Sequence, residues 1–146
     1  MVEIFSIGYE NYTPESFFAR LKREGVERLI DVRNVAASRK PGFSKKALAA
    51  GCEENGIRYI HLQKLGNPKA IRDRIKRGNL AVEAWKAAYA EYLATAPEEL
   101  ENLAALIREK KSCLMCLEHS HTLCHREVTI ESLQKMIPGL RITYLE

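Results

Sequence analysis

Residues 27–62, ERLIDVRNVAASRKPGFSKKALAAGCEENGIRYIHL, contain the pattern that decides the fold. ERLIDVR (27–33) and IRYIHL (57–62) are short apolar runs of strand character, rich in β-branched and aromatic residues. Between them, Ser44 is the expected cap of a helix that ends near Gly56, where glycine supplies a helix stop. Strand, helix and strand in so short a span require a crossover and hence two parallel strands.

The same alternation extends in both directions. EIFSIGY (3–9) predicts a first strand, followed by a helix with Thr13 as N-cap, Pro14 at its first position and Glu15 in its first turn. Phe17, Phe18 and Leu21 share one face of it and Gly25 closes it. Beyond residue 62, breaks at Gly66-Asn67-Pro68, Gly78-Asn79 and Ala96-Pro97 divide a helical region into 68–77, 81–94 and 97–110. SCLMCLE (112–118) predicts a fourth strand, 124–136 a last helix and RITYLE (141–146) a fifth strand.

The expected architecture is one α/β domain over residues 1–146: a three-layer α/β/α, Rossmann-like fold around a mainly parallel five-stranded sheet. The long helical excursion before the fourth strand suggests the order 3-2-1-4-5. Right-handed crossovers place every strand's carboxyl end on one rim, where open α/β sheets bind ligands.

Composition sets the outer bounds. The 146 residues are 46% hydrophobic and 29% charged, as expected of an ordinary globular chain large enough to bury a core. The start, Met1-Val2-Glu3-Ile4, lacks a basic targeting region, and no apolar run approaches the roughly 18 residues of a membrane span. The expectation is therefore a cytoplasmic protein without a membrane partner, its four cysteines reduced. The net charge of +4 permits an anionic partner without requiring one.

The rim collects the chemistry. Strand one ends in Gly8-Tyr9-Glu10, strand two in Asp31-Val32-Arg33, strand three in His61 and strand four in Cys116-Leu117-Glu118. The amino ends carry little beyond charges read as solvated, such as Glu27 and Arg28. Polar strand ends are common in any fold, but this many reactive types at one edge is what a site requires.

Residues 112–127, SCLMCLEHSHTLCHRE, hold three of the four cysteines and three of the four histidines. Cys113 and Cys116 resemble half of a zinc knuckle, yet strand alternation sends them to opposite faces of a covered sheet. Cys113 then reads as a buried structural thiol, and Cys52 as a core residue or a half-buried thiol. Cys116, Glu118, Cys124, His125 and Arg126 remain as a group. A thiol opening a helix, beside His125 and Arg126, has its pKa lowered. Cys124 is accordingly read as nucleophile or thiol donor, with Glu118, Asp31 and His61 moving protons and Cys116 beside them. Arg33 and Arg126 would grip a phosphate or carboxylate, and Tyr9, Ser38 and His125 complete the binding set. No metal ligand and no cofactor is assigned, although a Cys/Cys/His/Glu transition-metal site stays geometrically open. His119 and His121 read as solvated loop residues.

Two basic clusters border the same rim: Lys64, Lys69, Arg72, Arg74, Lys76 and Arg77, and Ser38-Arg39-Lys40 with Lys45-Lys46. A solvated helix face is their commoner explanation, while a polyanion is their functional one. Tyr9, Tyr12, Phe43 and Trp85 suit base stacking, though their spacings are more often those of core residues.

Four segments, SIGYEN, LIDVRNVAASRKPGFSK, GIRYIHLQKLGNPKAIRD and LMCLEHSHTLCHRE, in this order and over essentially the whole chain, resemble the "domain of unknown function 488" family. Its Asp-x-Arg falls on Asp31 and Arg33, its Ser, Pro and Phe on Ser38, Pro41 and Phe43, and its His-Leu with Leu-Gly on His61, Leu62, Leu65 and Gly66. Its Cys-x-Glu and Cys-His-Arg fall on Cys116, Glu118, Cys124, His125 and Arg126. Ala36 stands where proline is frequent, and Ser120-His121 replaces a common Asp-Pro, adding an imidazole near the site. The resemblance implies the same rim but no activity, because the family has no established general function. The reading that results is an enzyme on a small anionic, nucleotide- or nucleic-acid-related substrate. The alternatives are a non-catalytic nucleic-acid or nucleotide-binding module, and a metal-binding protein using Cys116, Cys124 and a histidine. The oligomeric state is left open.

Overall fold

The computed structural model describes residues 2–146. Five strands, β1 (Glu3–Gly8), β2 (Arg28–Asp31), β3 (Arg58–His61), β4 (Ser112–Cys116) and β5 (Arg141–Leu145), form one all-parallel sheet. Six helices accompany them: α1 (Pro14–Arg23), α2 (Lys45–Glu54), α3 (Lys69–Lys76), α4 (Val82–Ala94), α5 (Pro97–Glu109) and α6 (Arg126–Met136). The fold is α/β, as the strand–helix alternation predicts.

Local chemistry explains the helix ends. Thr13 and Ser16 form a reciprocal cap at the start of α1, with Pro14 at its first position. Gly25, at φ 74°, turns the chain out of that helix. Ser44 stands before α2 but caps nothing: its hydroxyl accepts from the Ser38 amide at 3.0 Å and donates to the Ser38 carbonyl at 3.2 Å. It serves the preceding loop instead.

The sheet divides the core in two. Phe17, Phe18 and Leu21 of α1 and Leu48 and Cys52 of α2 pack with Phe5, Ile7, Leu29, Cys113 and Met115 on one face. Helices α3 to α6 cover the other through Ile71, Trp85, Tyr89, Leu93, Leu103, Ile107, Ile130 and Leu133, against Ile4, Ile30, Leu114 and Cys116. Each such fully buried side chain contributes roughly 1.5–3 kcal/mol of transfer free energy. Cys113 and Cys116 do lie on opposite faces, so they share no metal.

The strand order is β3-β2-β4-β1-β5, which corrects the expected 3-2-1-4-5 by exchanging β1 and β4. The crossover rule does not distinguish the two. In both, the chain moves one way from β1 to β2 to β3 with its helices on one face. It then moves back to β4 and on to β5 with its helices on the other. The exchange has a functional consequence. Connections leave the neighbours β2 and β4 in opposite directions, so the crevice at their carboxyl ends is the ligand-binding switch point of the sheet.

Three further expectations change. Arg28 is buried rather than solvated, donating to the Leu106 carbonyl and pairing with Glu109 at 2.9 Å. Cys124 does not open the last helix: α6 begins at Arg126, with His125 at its cap and Cys124 extended ahead of it. His119 and His121 are half-buried, and the ring of His121 stacks on Tyr144 at 3.8 Å.

Candidate functional site

At the end of β2 the chain builds a rigid post. Asp31 is fully buried and Arg33 is 5% exposed. The Nε and Nη2 of Arg33 donate to the two Asp31 carboxylate oxygens at 2.9 and 2.7 Å. Its Nη1 donates to the Phe43 carbonyl at 2.7 Å and reaches the Tyr9 hydroxyl at 3.5 Å. Every nitrogen of the guanidinium is therefore engaged; burial works against its charge, and the bound Asp31 carboxylate more than offsets that and keeps it charged. Tyr59 donates to the second Asp31 oxygen at 2.5 Å. The ring of Tyr9 stacks on Phe43 at 4.7 Å. These contacts hold the 32–44 loop against the sheet.

The end of β4 carries the reactive group. Cys116, Cys124 and His125 are buried, and their sulfur and nitrogen atoms lie within 4.8 Å of one another. His125 Nδ1 is 3.6 Å from Cys124 Sγ. Its Nε2 is 2.7 Å from the Val32 carbonyl, which only accepts, so Nε2 carries a proton. Arg126, 1% exposed, donates from Nε to Cys124 Sγ at 3.3 Å and from Nη2 to the Glu118 carbonyl at 2.5 Å.

Charge distribution follows from these neighbours. Burial raises the Cys124 thiol, but the hydrogen bond from Cys116, the His125 ring and the Arg126 guanidinium outweigh it and hold Cys124 well below the ordinary thiol range. Cys116 shifts the other way, through its hydrogen bond to Cys124 and through burial. Cys124 is the anion of the pair, because the Arg126 guanidinium and the His125 ring both sit on its sulfur. Glu118 is pushed up to about 7 by burial and then by the Cys124 charge. Its Oε2 is buried without a hydrogen-bond partner.

Above this cluster opens a cavity of about 370 Å³, within the range of small-molecule sites. Cys116, Glu118 and His125 line it on the β4 side; Arg33, Asn34, Val35 and Ala37 line it on the β2 side. Asn67, Arg72, Ile75, Lys76 and Trp85 close it from α3 and α4. Arg72 is fixed by neutral acceptors alone, the Asn67 carbonyl at 3.0 Å and Asn34 Oδ1 at 2.9 Å. Neither Arg72 nor Lys76 forms an ion pair among the described residues. The Asn67 side-chain oxygen is buried and unpartnered. The mouth is apolar: Val35, Leu117 and Leu123 are 54, 43 and 55% exposed, against a general tendency of large aliphatic side chains to be buried.

Two glycines permit this closeness. A Cβ on Gly8 would lie 1.7 Å from the Glu118 carbonyl oxygen, and one on Gly66 would lie 2.1 Å from the Asn34 amide nitrogen. Both loops over the site depend on bare backbone.

The sequence-derived set thus separates into three groups. Tyr9, Arg33, Cys116, Glu118 and His125 line the cavity, while Cys124 and Arg126 stand behind them in the cluster. Asp31, His61 and Ser38 do not face the cavity. Asp31 holds Arg33, His61 Nε2 lies 2.6 Å from the Arg33 carbonyl, and the Ser38 hydroxyl accepts from the Lys40 amide. Of the two arginines expected to grip the anion, Arg33 is paired with Asp31, while Arg126 is bonded to Cys124 and Glu118 and keeps a buried Nη1 without a partner. The sequence marks neither Asn34 nor Asn67 as a site residue, and it shows Arg72 only as one member of a basic cluster at the rim, not as a cavity wall. The signal available for Asn67 was its position in Gly-Asn-Pro, which reads more simply as a helix break.

A family described as "Domain of unknown function DUF488" matches residues 13–133. The chain belongs to the DUF488 family. The DUF488 match runs from the cap of α1 into α6, so it includes the Asp31–Arg33 post, Arg72 and the whole Cys116–Arg126 cluster. Strands β1 and β5, and Tyr9 with them, lie outside the matched DUF488 residues. The chain matches no curated protein and no solved structure. No helix among the described residues is long and apolar enough to cross a membrane.

Proposed function

We propose that the protein is an enzyme acting on a small anionic substrate, nucleotide- or nucleic-acid-related, in the cavity between the ends of β2 and β4. The observation that carries this reading is the cation placed opposite the reactive cluster. Arg72 is oriented by two neutral oxygens and has no carboxylate partner, so its charge is available to a ligand. Lys76 adds a second cation on the same wall. Cys116, His125 and Glu118 face them across the cavity.

In this reading Arg72 and Lys76 hold the anion, and Asn67 accepts from a donor on the ligand body. Trp85 and the apolar mouth contact the rest of the ligand. Glu118, whose second oxygen has no protein partner, is the proton carrier at the reacting end. Arg33 and Arg126 are positioning residues: one fixes the β2 loop, the other the Cys124 sulfur and the Glu118 backbone. The exposed Arg74, Lys76 and Arg77 of the same segment support a second reading, a binding surface for nucleic acid.

Incubation with a panel of nucleoside monophosphates and short oligonucleotides, followed by mass spectrometry, tests the proposal. Turnover that Glu118→Gln abolishes while binding persists is the expected result. An absence of turnover across the panel, or wild-type turnover by Glu118→Gln, would overturn it. Binding of oligonucleotide alone, with steep salt dependence and no product, would favour the second reading.

A further inference from the structure

We propose that Cys116, Cys124 and His125 bind a zinc ion whose open fourth position faces the cavity. The donor set comes first: two sulfurs and one imidazole nitrogen are the ligands zinc favours, and softer than calcium or magnesium accept. All three ligand atoms lie within 4.8 Å of one another. Zn–S bonds of about 2.3 Å and Zn–N bonds of about 2.0 Å at tetrahedral angles separate sulfur from nitrogen by about 3.5 Å and sulfur from sulfur by about 3.8 Å. His125 Nδ1 and Cys124 Sγ are 3.6 Å apart, so one edge of the tetrahedron already has close to its length.

The surroundings are those of a supported ligand set. A zinc-bound histidine characteristically donates its other ring N–H to a carbonyl or carboxylate, which fixes the tautomer. Here Nε2 of His125 donates to the Val32 carbonyl at 2.7 Å, leaving the Nδ1 lone pair directed at the sulfurs. Arg126 Nε donates to Cys124 Sγ, an outer-shell bond to a ligand thiolate. The buried, unpartnered Oε2 of Glu118 is an independent sign that a partner is missing beside the sulfurs. Two thiolates and a neutral imidazole balance the dication, so the ion and its three ligands together carry no net charge.

The ligands also fit their place in the chain. Cys116 ends β4 and Cys124-His125 precede α6, so one loop of the chain supplies all three. Cys116 and His125 line the cavity, as does Glu118, whereas Cys124 lies behind them. With two of the three ligands lining the cavity, the open corner of the tetrahedron is placed on its cavity side. Three protein ligands and an open position are the arrangement of catalytic rather than structural zinc. That the open position meets substrate rests on the proposed function; the metal site itself does not.

Cobalt(II) titration of chelator-treated protein under anaerobic conditions tests the site, because tetrahedral thiolate cobalt has strong visible and thiolate-to-metal charge-transfer bands. Wild type should saturate at one equivalent, and zinc should bleach the spectrum stoichiometrically. Cys116→Ser and Cys124→Ser should each lose about half of the charge-transfer intensity, with folding verified by circular dichroism. His125→Asn should weaken cobalt by at least about tenfold, and Cys113→Ser should leave the spectrum unchanged. Folded wild type without a charge-transfer band in excess cobalt would overturn the proposal, as would a band that survives both serine variants. Zinc-loaded protein that binds no nucleotide or phosphate would keep the metal site and remove the active-site reading; turnover by metal-free protein would keep the active-site reading and overturn the claim that the open position meets substrate.

Discussion

Val32 and His125 are joined by one hydrogen bond, 2.7 Å from the ring Nε2 to the backbone carbonyl, and it ties the end of β2 to the start of α6. The bond spans the crevice on which the whole site is built. It is buried, so losing it leaves a carbonyl without a partner, at a cost of about 1–3 kcal/mol. His125→Leu should therefore lower the unfolding free energy by that amount in urea titrations. A change below about 0.5 kcal/mol, the range of ordinary surface substitutions, would show that the imidazole does not anchor the crevice.

Asp31 and Arg33 form the other tie. Both are buried, and removing one partner of a buried ion pair costs about 3–5 kcal/mol because the remaining charge is stranded. Asp31→Asn should lower stability by most of that range. The double variant Asp31→Leu/Arg33→Met, which strands no charge, should be less destabilised than the sum of its single changes. Additive losses would contradict a structural pair and return Asp31 to the list of reacting groups.

Gly66 separates a packing requirement from a chemical one. Its Gly66→Ala Cβ would meet the Asn34 backbone, which cannot move like a flexible side chain. The Asn67 carbonyl that orients Arg72 is the next residue. Gly66→Ala should thus lower the melting temperature by several degrees, corresponding to about 1 kcal/mol or more. It should also weaken any anion held by Arg72. A variant with native stability and native binding would show that the loop has room the structure does not reveal.

Alkaline pH should destabilise the fold through groups far from the cysteine–histidine cluster. Burial, and then the Asp31 charge, push the Cys52 thiol from 9.0 up to about 12. Burial and the hydrogen bond to Asp31 raise Tyr59 as well. Above about pH 9 the unfolded chain releases the Cys52 proton while the native one keeps it, so the unfolded state binds fewer protons and stability falls with pH. The contribution is complete below about pH 9 and lost towards about pH 12. Urea midpoints at about pH 8 and about pH 10.5 should show the fall, and Cys52→Ala should lessen it. Equal midpoints in wild type would refute the account of Cys52.

How much of this was legible in the sequence depends on the range of the interaction concerned. The β2–α2–β3 unit, the caps of α1 and the opposite facing of Cys113 and Cys116 rest on periods of two and 3.6 residues and on local steric rules, so they could be read directly. The places of β1 and β4 could not, because both orders use the same crossover directions and similar apolar strands. The convergence of Cys116, Cys124 and His125 was readable from one loop. The role of Arg33 was not: nothing local says whether a guanidinium at a strand end meets a ligand or the carboxylate two residues before it. Arg72 shows the converse. In sequence it is one basic residue among six in a cluster, and only the packing of α3 against the Asn34 loop turns it into the cavity wall.

The most direct measurement is calorimetric titration of the protein with adenosine 5′-monophosphate and with inorganic phosphate, comparing wild type with Arg72→Ala and Arg74→Ala. Binding that Arg72→Ala weakens by at least about tenfold, a loss of about 1.4 kcal/mol, with Arg74→Ala near wild type, is the result predicted for an anion site inside the cavity. Absence of heat from both ligands, or equal weakening by Arg74→Ala, would contradict it and leave α3 as a merely basic surface.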